Sequence, residues 1–130
     1  MAMNNKPLVS IGMPVYNGEG YVRQALDSLL AQDYENFELI ISDNASTDGT
    51  QKICKEYAAR DGRIRYHRNE QNMGAAWNFG RVLDLSSGKY FMWAAHDDFW
   101  CSDHVGALVR MLEQSPCLVL AVSGWDSVLP

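Results

Sequence analysis

Short apolar segments alternate with amphipathic helical segments along the chain, and this alternation constrains the fold more than any other feature. Apolar runs occupy residues 8–13, 37–41 and 89–95. Between them, apolar residues recur at helical spacing, for example over 21–30 and 53–58. Such alternation predicts βαβ units with right-handed crossovers. The sequence therefore predicts an α/β fold with a mainly parallel sheet and helices on both faces.

Several element boundaries are predicted from local signals. Pro14 is expected to end the first strand, because proline cannot donate to a sheet ladder. A weaker third strand is expected over 63–67, and a fifth over the apolar run 117–122. Asp103 is expected to cap a fourth helix, since a carboxylate at that position can accept backbone N–H groups.

Composition limits the class of protein. The 130 residues fit one ordinary domain, and no apolar run reaches the roughly 18 residues of a membrane span. A net charge of −5 argues against a nucleic-acid partner. Three cysteines without paired spacing fit a reducing compartment. We therefore expect a cytoplasmic location, and attachment to the inner face of the membrane is left open.

Polar residues follow three of the predicted strands. They are the segment 14–17, Asp43, and the run His96-Asp97-Asp98. The carboxyl ends of parallel strands share one edge of a sheet, and ligands bind at that edge. The adjacent carboxylates Asp97 and Asp98 repel each other, and a divalent cation shared with a diphosphate would offset the repulsion. A solvated turn that caps the next helix is the alternative for this pair.

The sequence has neither of the usual glycine-rich phosphate loops, so a diphosphate would depend on a metal. Asp43 can accept a hydrogen bond from a nucleobase imide N–H, or it can cap the turn that follows it. Tyr16 offers an aromatic face to a base, or it covers the edge of the core. The residues alone leave these alternatives open.

Four segments together resemble family 2 glycosyltransferases. They read PLVSIGMPVYN at 7–17, FELIISDNASTDGT at 37–50, NMGAAWNFG at 72–80 and SGKYFMWAAHDD at 87–98. Their order and spacing also match, and the resemblance extends to about residue 124. It implies a Rossmann-like GT-A fold and an inverting transfer of sugar from a nucleotide-diphosphate donor to an acceptor hydroxyl.

The resemblance also implies roles for single residues. Tyr16 would stack on the base, Asp43 would bind its imide, and Asp97 would face the ribose. Asp98 would ligate Mn²⁺ or Mg²⁺ bridging the diphosphate. The implied nucleotide-sugar-binding residues are Pro14, Tyr16, Asn17, Asp43 and Asp97.

Two positions depart from the family pattern. The acidic pair of the second motif is Ser42-Asp43 here, and His96 occupies the first position of the DxD signature.

The resemblance also implies the partners. They are a UDP-sugar as donor and a glycan or lipid-linked sugar as acceptor, as in the synthesis of cell-surface polysaccharides.

The family's general base lies in an acceptor-binding half that follows the nucleotide-binding half. We therefore expect residues 1–130 to form a single nucleotide-sugar-binding domain that stops before that half and is catalytically incomplete by itself. No catalytic residue is assigned. Self-association is expected through apolar residues near the end: Val119, Leu120, Val122, Trp125, Val128 and Leu129. The alternative function is a non-catalytic nucleotide- or metal-binding module.

Overall fold

The structure, a computed structural model, describes residues 5–124 and contains a four-stranded sheet in the order β3-β2-β1-β4. All of its strand pairs are parallel, as the sequence predicted. The elements in chain order are β1 (Val9–Val15), α1 (Val22–Leu30), β2 (Phe37–Asp43), α2 (Thr50–Arg60), β3 (Ile64–Arg68), α3 (Ala75–Asp84), β4 (Tyr90–Trp93) and α4 (His104–Gln114).

Helices cover both faces of the sheet, and alternate residues of β1 face them. Ile11 and Met13 point toward α1, α2 and α4, whose apolar residues form one cluster with them. Gly12 lies on the opposite face, beneath α3. The side chains that are completely buried in the larger cluster include Ile11, Met13, Leu26, Leu29, Leu39 and Ile41. The core thus fixes which face of each strand points inward.

Helix α3 packs very closely against β1 at Gly12. A Cβ atom at Gly12 would lie 2.7 Å from Val82 Cγ2 and 2.7 Å from Phe91 Cζ. Val82 is completely buried, and even its Cβ would lie 2.9 Å from the added atom, so it has no free space into which to move. The missing side chain therefore sets the distance between the helix and the sheet.

Pro14 does not end β1, which continues to Val15 and pairs Pro14 with Ser42 of β2. The carbonyl of Gly12 accepts the N–H of Ala94, so residues 12 and 14 direct their backbone groups toward the β4 side. The ladder with β4 stops at the pair of Gly12 and Trp93. The missing N–H of Pro14 therefore falls where no partner strand needs it.

The expected fifth strand is absent from the described residues, because 117–124 form no strand. Their apolar side chains are exposed, to 97% for Val119 and 73% for Leu120. A strand requires a neighbouring strand for its backbone groups, and strand propensity alone does not supply one. Trp125, Val128 and Leu129, expected in the same exposed group, lie outside the described residues.

Asp103 directly precedes α4, as predicted, but its side chain makes no capping hydrogen bond. Between residues 5 and 124, no helix is long and apolar enough to span a membrane.

The close approach at Gly12 gives a stability prediction. We expect Gly12→Ala to lower the free energy of unfolding by about 1–3 kcal/mol, because the new methyl group overpacks the contact with Val82 and Phe91. The measurement is urea unfolding followed by circular dichroism. Gly20→Ala is the matched control, since a Cβ there would meet no atom within 4 Å. Equal stability of the two variants would contradict the packing argument.

Candidate nucleotide-binding site

A cleft of about 430 Å³ lies at the carboxyl edge of the sheet. The loops after β1 and β4 and the first turns of α3 form its walls. Its lining residues are Pro14, Val15, Tyr16, Asn44, Asn72, Gly74, Ala75, Asn78, Phe79, Ala95, His96 and Asp97. The polar loops that the sequence placed at this edge therefore do meet in space.

Pro14, Tyr16 and Asp97 come together in this cleft. The Tyr16 side chain is 45% exposed, so its ring is accessible to a planar ligand. Asp97 is also exposed. The neighbouring Asp98 is exposed on the same turn, where its N–H donates to the carbonyl of Ala95 at 3.4 Å, although it does not line the cleft.

Asp43 lies at the end of β2 and is completely buried. Its Oδ1 accepts the backbone N–H of Ser46 at 2.9 Å, which is the turn-capping contact. Its Oδ2 accepts the hydroxyl of Tyr66 at 2.7 Å and the guanidinium of Arg68 at 2.9 Å. Burial and the bond to Asp43 raise the pKa of Tyr66, so its hydroxyl remains a donor at neutral pH. The carboxylate thus already has three protein partners.

Asn17 connects the loop after β1 to the loop after β2. Its N–H donates to Ser46 Oγ at 2.9 Å, and its Oδ1 accepts the N–H of Thr47 at 2.8 Å. It also adopts the left-handed region, with φ of 50°. Asn17 does not line the cleft, and its polar contacts hold the segment that presents Tyr16.

Further hydrogen bonds link the same two loops. The N–H of Gly18 donates to Thr50 Oγ1 at 2.8 Å. Glu19 donates its N–H to Asp48 Oδ2 and accepts the N–H of Gly49, each at 3.2 Å. We call the contacts of residues 17–19 with 46–50 the loop brace. It makes the two loops one structural unit.

His96 packs over the loop after β1. A Cβ atom at Gly18 would lie only 2.6 Å from Cδ2 of the imidazole, so glycine is needed for this approach. The residue that departs from the DxD signature therefore contacts the β1 loop and lines the cleft beside Asp97.

Asn44 lines the cleft, and the sequence analysis did not select it. It is 98% buried and makes four hydrogen bonds, which is the full capacity of its amide. Its Nδ2 donates to Asn72 Oδ1 and the carbonyl of Gly74, and its Oδ1 accepts from Asn69 Nδ2 and the N–H of Met73. The loop before α3 is thereby attached to the end of β2.

Asn78 is a second cleft residue that the sequence analysis did not select as a site residue. Its Nδ2 donates to the carbonyl of Ser42 at 2.8 Å, and its Oδ1 accepts Ser42 Oγ at 2.6 Å and Asn69 Nδ2 at 3.2 Å. A signal was present, because Asn78 occupies the buried stripe of α3 together with Val82. A polar residue at a core position indicates a hydrogen-bonded partner.

The donor chemistry of Asp97 and Asp98 fits a divalent cation. Carboxylate oxygens are the ligands that Mg²⁺ and Mn²⁺ prefer, and Mg²⁺ commonly takes only one or two of them together with phosphate oxygens. Within residues 5–124, no group of three or more histidine, cysteine or acidic side chains is arranged to hold a metal. Two carboxylates would leave coordination positions of such a cation that water or phosphate oxygens can fill.

Solved structures with this architecture identify the class of protein. The S. aureus TarS fragment 1–349, in complex with UDP, superposes with a TM-score of 0.76 at 25% identity, over 82% of this chain and 32% of that one. A mannosyltransferase from Pyrobaculum calidifontis, in complex with GDP-Man and Mn²⁺, gives a TM-score of 0.77 at 24% identity, over 84% and 33%. The fold is that of the GT-A glycosyltransferases.

Sequence comparison gives the family. The profile of Glycosyl transferase family 2 matches residues 10–127, and the chain belongs to this family. A Bacillus subtilis protein, provisionally named the teichuronic acid biosynthesis glycosyltransferase TuaG, is 35% identical over 88% of this chain. An uncharacterized glycosyltransferase of Rickettsia felis is 39% identical over 83%. The chain spans 45% and 18% of the lengths of these relatives.

The buried contacts of Asn78 give a second stability prediction. We expect Asn78→Ala to lower the free energy of unfolding by about 2–3 kcal/mol, because groups of Ser42 and Asn69 lose their partners inside the protein. Denaturant unfolding measures the change. Asn36→Ala is the control, since Asn36 makes one exposed hydrogen bond to the carbonyl of Lys6, and its effect should stay within about 0.5 kcal/mol. A small loss at both positions would refute the structural role.

Proposed function

We propose that this chain binds the nucleotide-diphosphate sugar donor of an inverting glycosyl transfer, with a UDP-sugar as donor and a glycan or lipid-linked sugar as acceptor. The observation that carries the proposal is the cleft at the carboxyl edge, which brings together Pro14, Tyr16 and Asp97. Membership of Glycosyl transferase family 2 supports the transfer reaction. The relative provisionally assigned to teichuronic acid biosynthesis supports a cell-surface polysaccharide as product.

The cleft suits a nucleoside in size and in chemistry. Tyr16 supplies an exposed ring on which a base can stack, and Pro14 supplies a rigid backbone edge beside it. Asp97 is assigned to the ribose hydroxyls, for which a carboxylate is a strong acceptor. Asn17, also predicted to be a nucleotide-sugar-binding residue, would contribute by holding Tyr16 in place through the loop brace.

Asp98 is assigned to Mn²⁺ or Mg²⁺, with Asp97 beside it. A bound cation would stabilise the negative charge of the departing nucleotide diphosphate. The Pyrobaculum mannosyltransferase, whose complex contains both GDP-Man and Mn²⁺, is a precedent for a nucleotide sugar and a metal in a protein of this fold. The TarS complexes with UDP and UDP-GlcNAc favour a uridine donor.

Asp43 is assigned to the imide N–H of the base. Its carboxylate is completely buried, and Oδ2 already accepts both Tyr66 and Arg68, so a base that binds this oxygen must replace one of the two. The geometry therefore makes base binding an exchange of hydrogen bonds.

The proposed metal ligand gives a binding prediction. We expect UDP to bind the chain more tightly with Mn²⁺ than with EDTA. Asp98→Asn should reduce the ratio of these two affinities by about tenfold or more. The substitution keeps the shape of the side chain but removes its negative charge, which the cation requires. Isothermal titration calorimetry measures both affinities.

Asp84→Asn provides the matched control, because it makes the same change of charge at an exposed residue at the end of α3. Its affinity for UDP should equal that of the wild-type chain. Equal binding of UDP with Mn²⁺ and with EDTA by the wild-type chain would refute the metal-dependent donor site.

We also propose that the chain self-associates through its exposed apolar segment, in which Val119, Leu120 and Val122 are 97%, 73% and 72% exposed. Contiguous apolar surface of this kind promotes association. Light scattering after gel filtration should show dimers or larger species. The double substitution Val119→Ser and Leu120→Ser should shift them toward monomer, whereas Leu83→Ser on α3 should not. A wild-type monomer at high concentration would overturn this proposal.

A further inference from the structure

The carboxylate of Asp43 is unusual among the predicted site residues because nothing from outside reaches it. Its exposure is 0%, and both oxygens accept hydrogen bonds from the protein. Because Asp43 is buried, a nucleobase can reach it only where a covering group moves aside, and at Oδ2, which already accepts two donors, the base must displace one of them. The identity of that donor decides which bases can bind.

The three donors differ in their freedom to leave. Ser46 donates from its backbone, in the turn that joins β2 to α2. Tyr66 belongs to β3, and its ring packs against the hydrophobic core. Arg68 is the last residue of β3, and its side chain is 32% exposed on a flexible stem. Arg68 is therefore the donor that can be displaced at the lowest cost.

Arg68 has a second anchor that does not involve Asp43. Its other terminal nitrogen donates to the carbonyl of Ser46 at 2.9 Å. A guanidinium carries five donors, so losing one bond leaves the side chain hydrated and still held near the turn. Displacement from Asp43 therefore does not require the residue to leave the site.

We propose that Arg68 is a specificity-determining residue, which occupies the position of the base N–H on Asp43 and yields it only to a base that carries an imide. This inference rests on the proposed function of the cleft. Uracil presents an N–H at ring position 3 and can replace the guanidinium as donor. Cytosine presents an unprotonated ring nitrogen there, which would face the carboxylate without a proton, so cytosine leaves Arg68 in place.

Displacement of Arg68 lowers the affinity for uracil below the value that Asp43 alone would give. A hydrogen bond between two opposite charges has to be exchanged for one from a neutral N–H to the same carboxylate, and the attraction between the charges is lost. Removing the guanidinium should therefore increase discrimination between uracil and cytosine. A residue that contacted the base directly would show the opposite behaviour.

The first test compares the affinities of UDP, CDP and pyrophosphate, each with Mn²⁺, by calorimetry. We expect Arg68→Met to raise the affinity ratio of UDP to CDP by about tenfold. UDP and CDP carry the same diphosphate, so the loss of a positive charge weakens both alike and cancels in their affinity ratio. Pyrophosphate, which has no base, measures that general weakening separately. Arg65→Met is the matched control, because Arg65 lies on the same strand but pairs with Glu38, and it should leave the ratio unchanged.

The second test needs no variant in its main measurement. The ¹⁵N-labelled guanidinium signal of Arg68 is followed by NMR in Mg²⁺, with Arg68→Lys used only to assign it. UDP should shift this signal, whereas pyrophosphate and CDP should not. An unchanged signal with bound UDP overturns the proposal, even if Arg68→Met does not fold.

The outcomes separate this inference from the proposed function. If the wild-type chain binds UDP and the UDP-to-CDP ratio of a folded Arg68→Met chain is unchanged or lower, the role of Arg68 is refuted and the donor site stands. If neither UDP nor pyrophosphate binds the wild-type chain with Mn²⁺, the donor site itself is refuted.

Discussion

The parallel pairing of β1 on both of its edges is the constraint on which the rest of the structure depends. β1 joins β2 along its whole length and β4 along its first four residues. Because these pairings are parallel, the loops that follow the strands emerge at one edge. The cleft is formed at that edge, where the ladder with β4 has ended and that with β2 continues. Pro14 marks this place, since its missing N–H needs no partner there.

Hydrogen-bonded polar side chains, rather than apolar packing, hold the loops around the cleft. Asn44 and Asn78 attach the approach to α3 to the end of β2, and Asp43 anchors the turn that follows. Each is at least 98% buried. A buried polar group is tolerated when its partners are complete and is costly when one is removed. The same residues that shape the site therefore also contribute to its stability.

The sequence predicted the parts of this structure that depend on local pattern. The alternation of strands and helices predicted the parallel sheet, and polar residues after strands predicted the meeting of Tyr16 and Asp97. Prediction from the sequence failed where a residue distant in the chain determines the local structure. The run 117–122 has strand propensity but no neighbouring strand among the described residues, and no local pattern predicts that Arg68 donates to Asp43 from 25 positions away. Asn78 shows that a polar residue on the buried stripe of a helix is itself a signal, present in the sequence, for a hydrogen-bonded residue at the site.

The loop brace has a consequence for how such proteins can change. Residues 17–19 and 46–50 are about 30 positions apart in sequence, yet side chains from each segment accept backbone N–H groups of the other. A substitution in one segment therefore alters the requirements of the other. Transplanting one loop from a relative would leave donors without acceptors, whereas transplanting both would preserve the set. The two loops should be inherited, and engineered, as a single module.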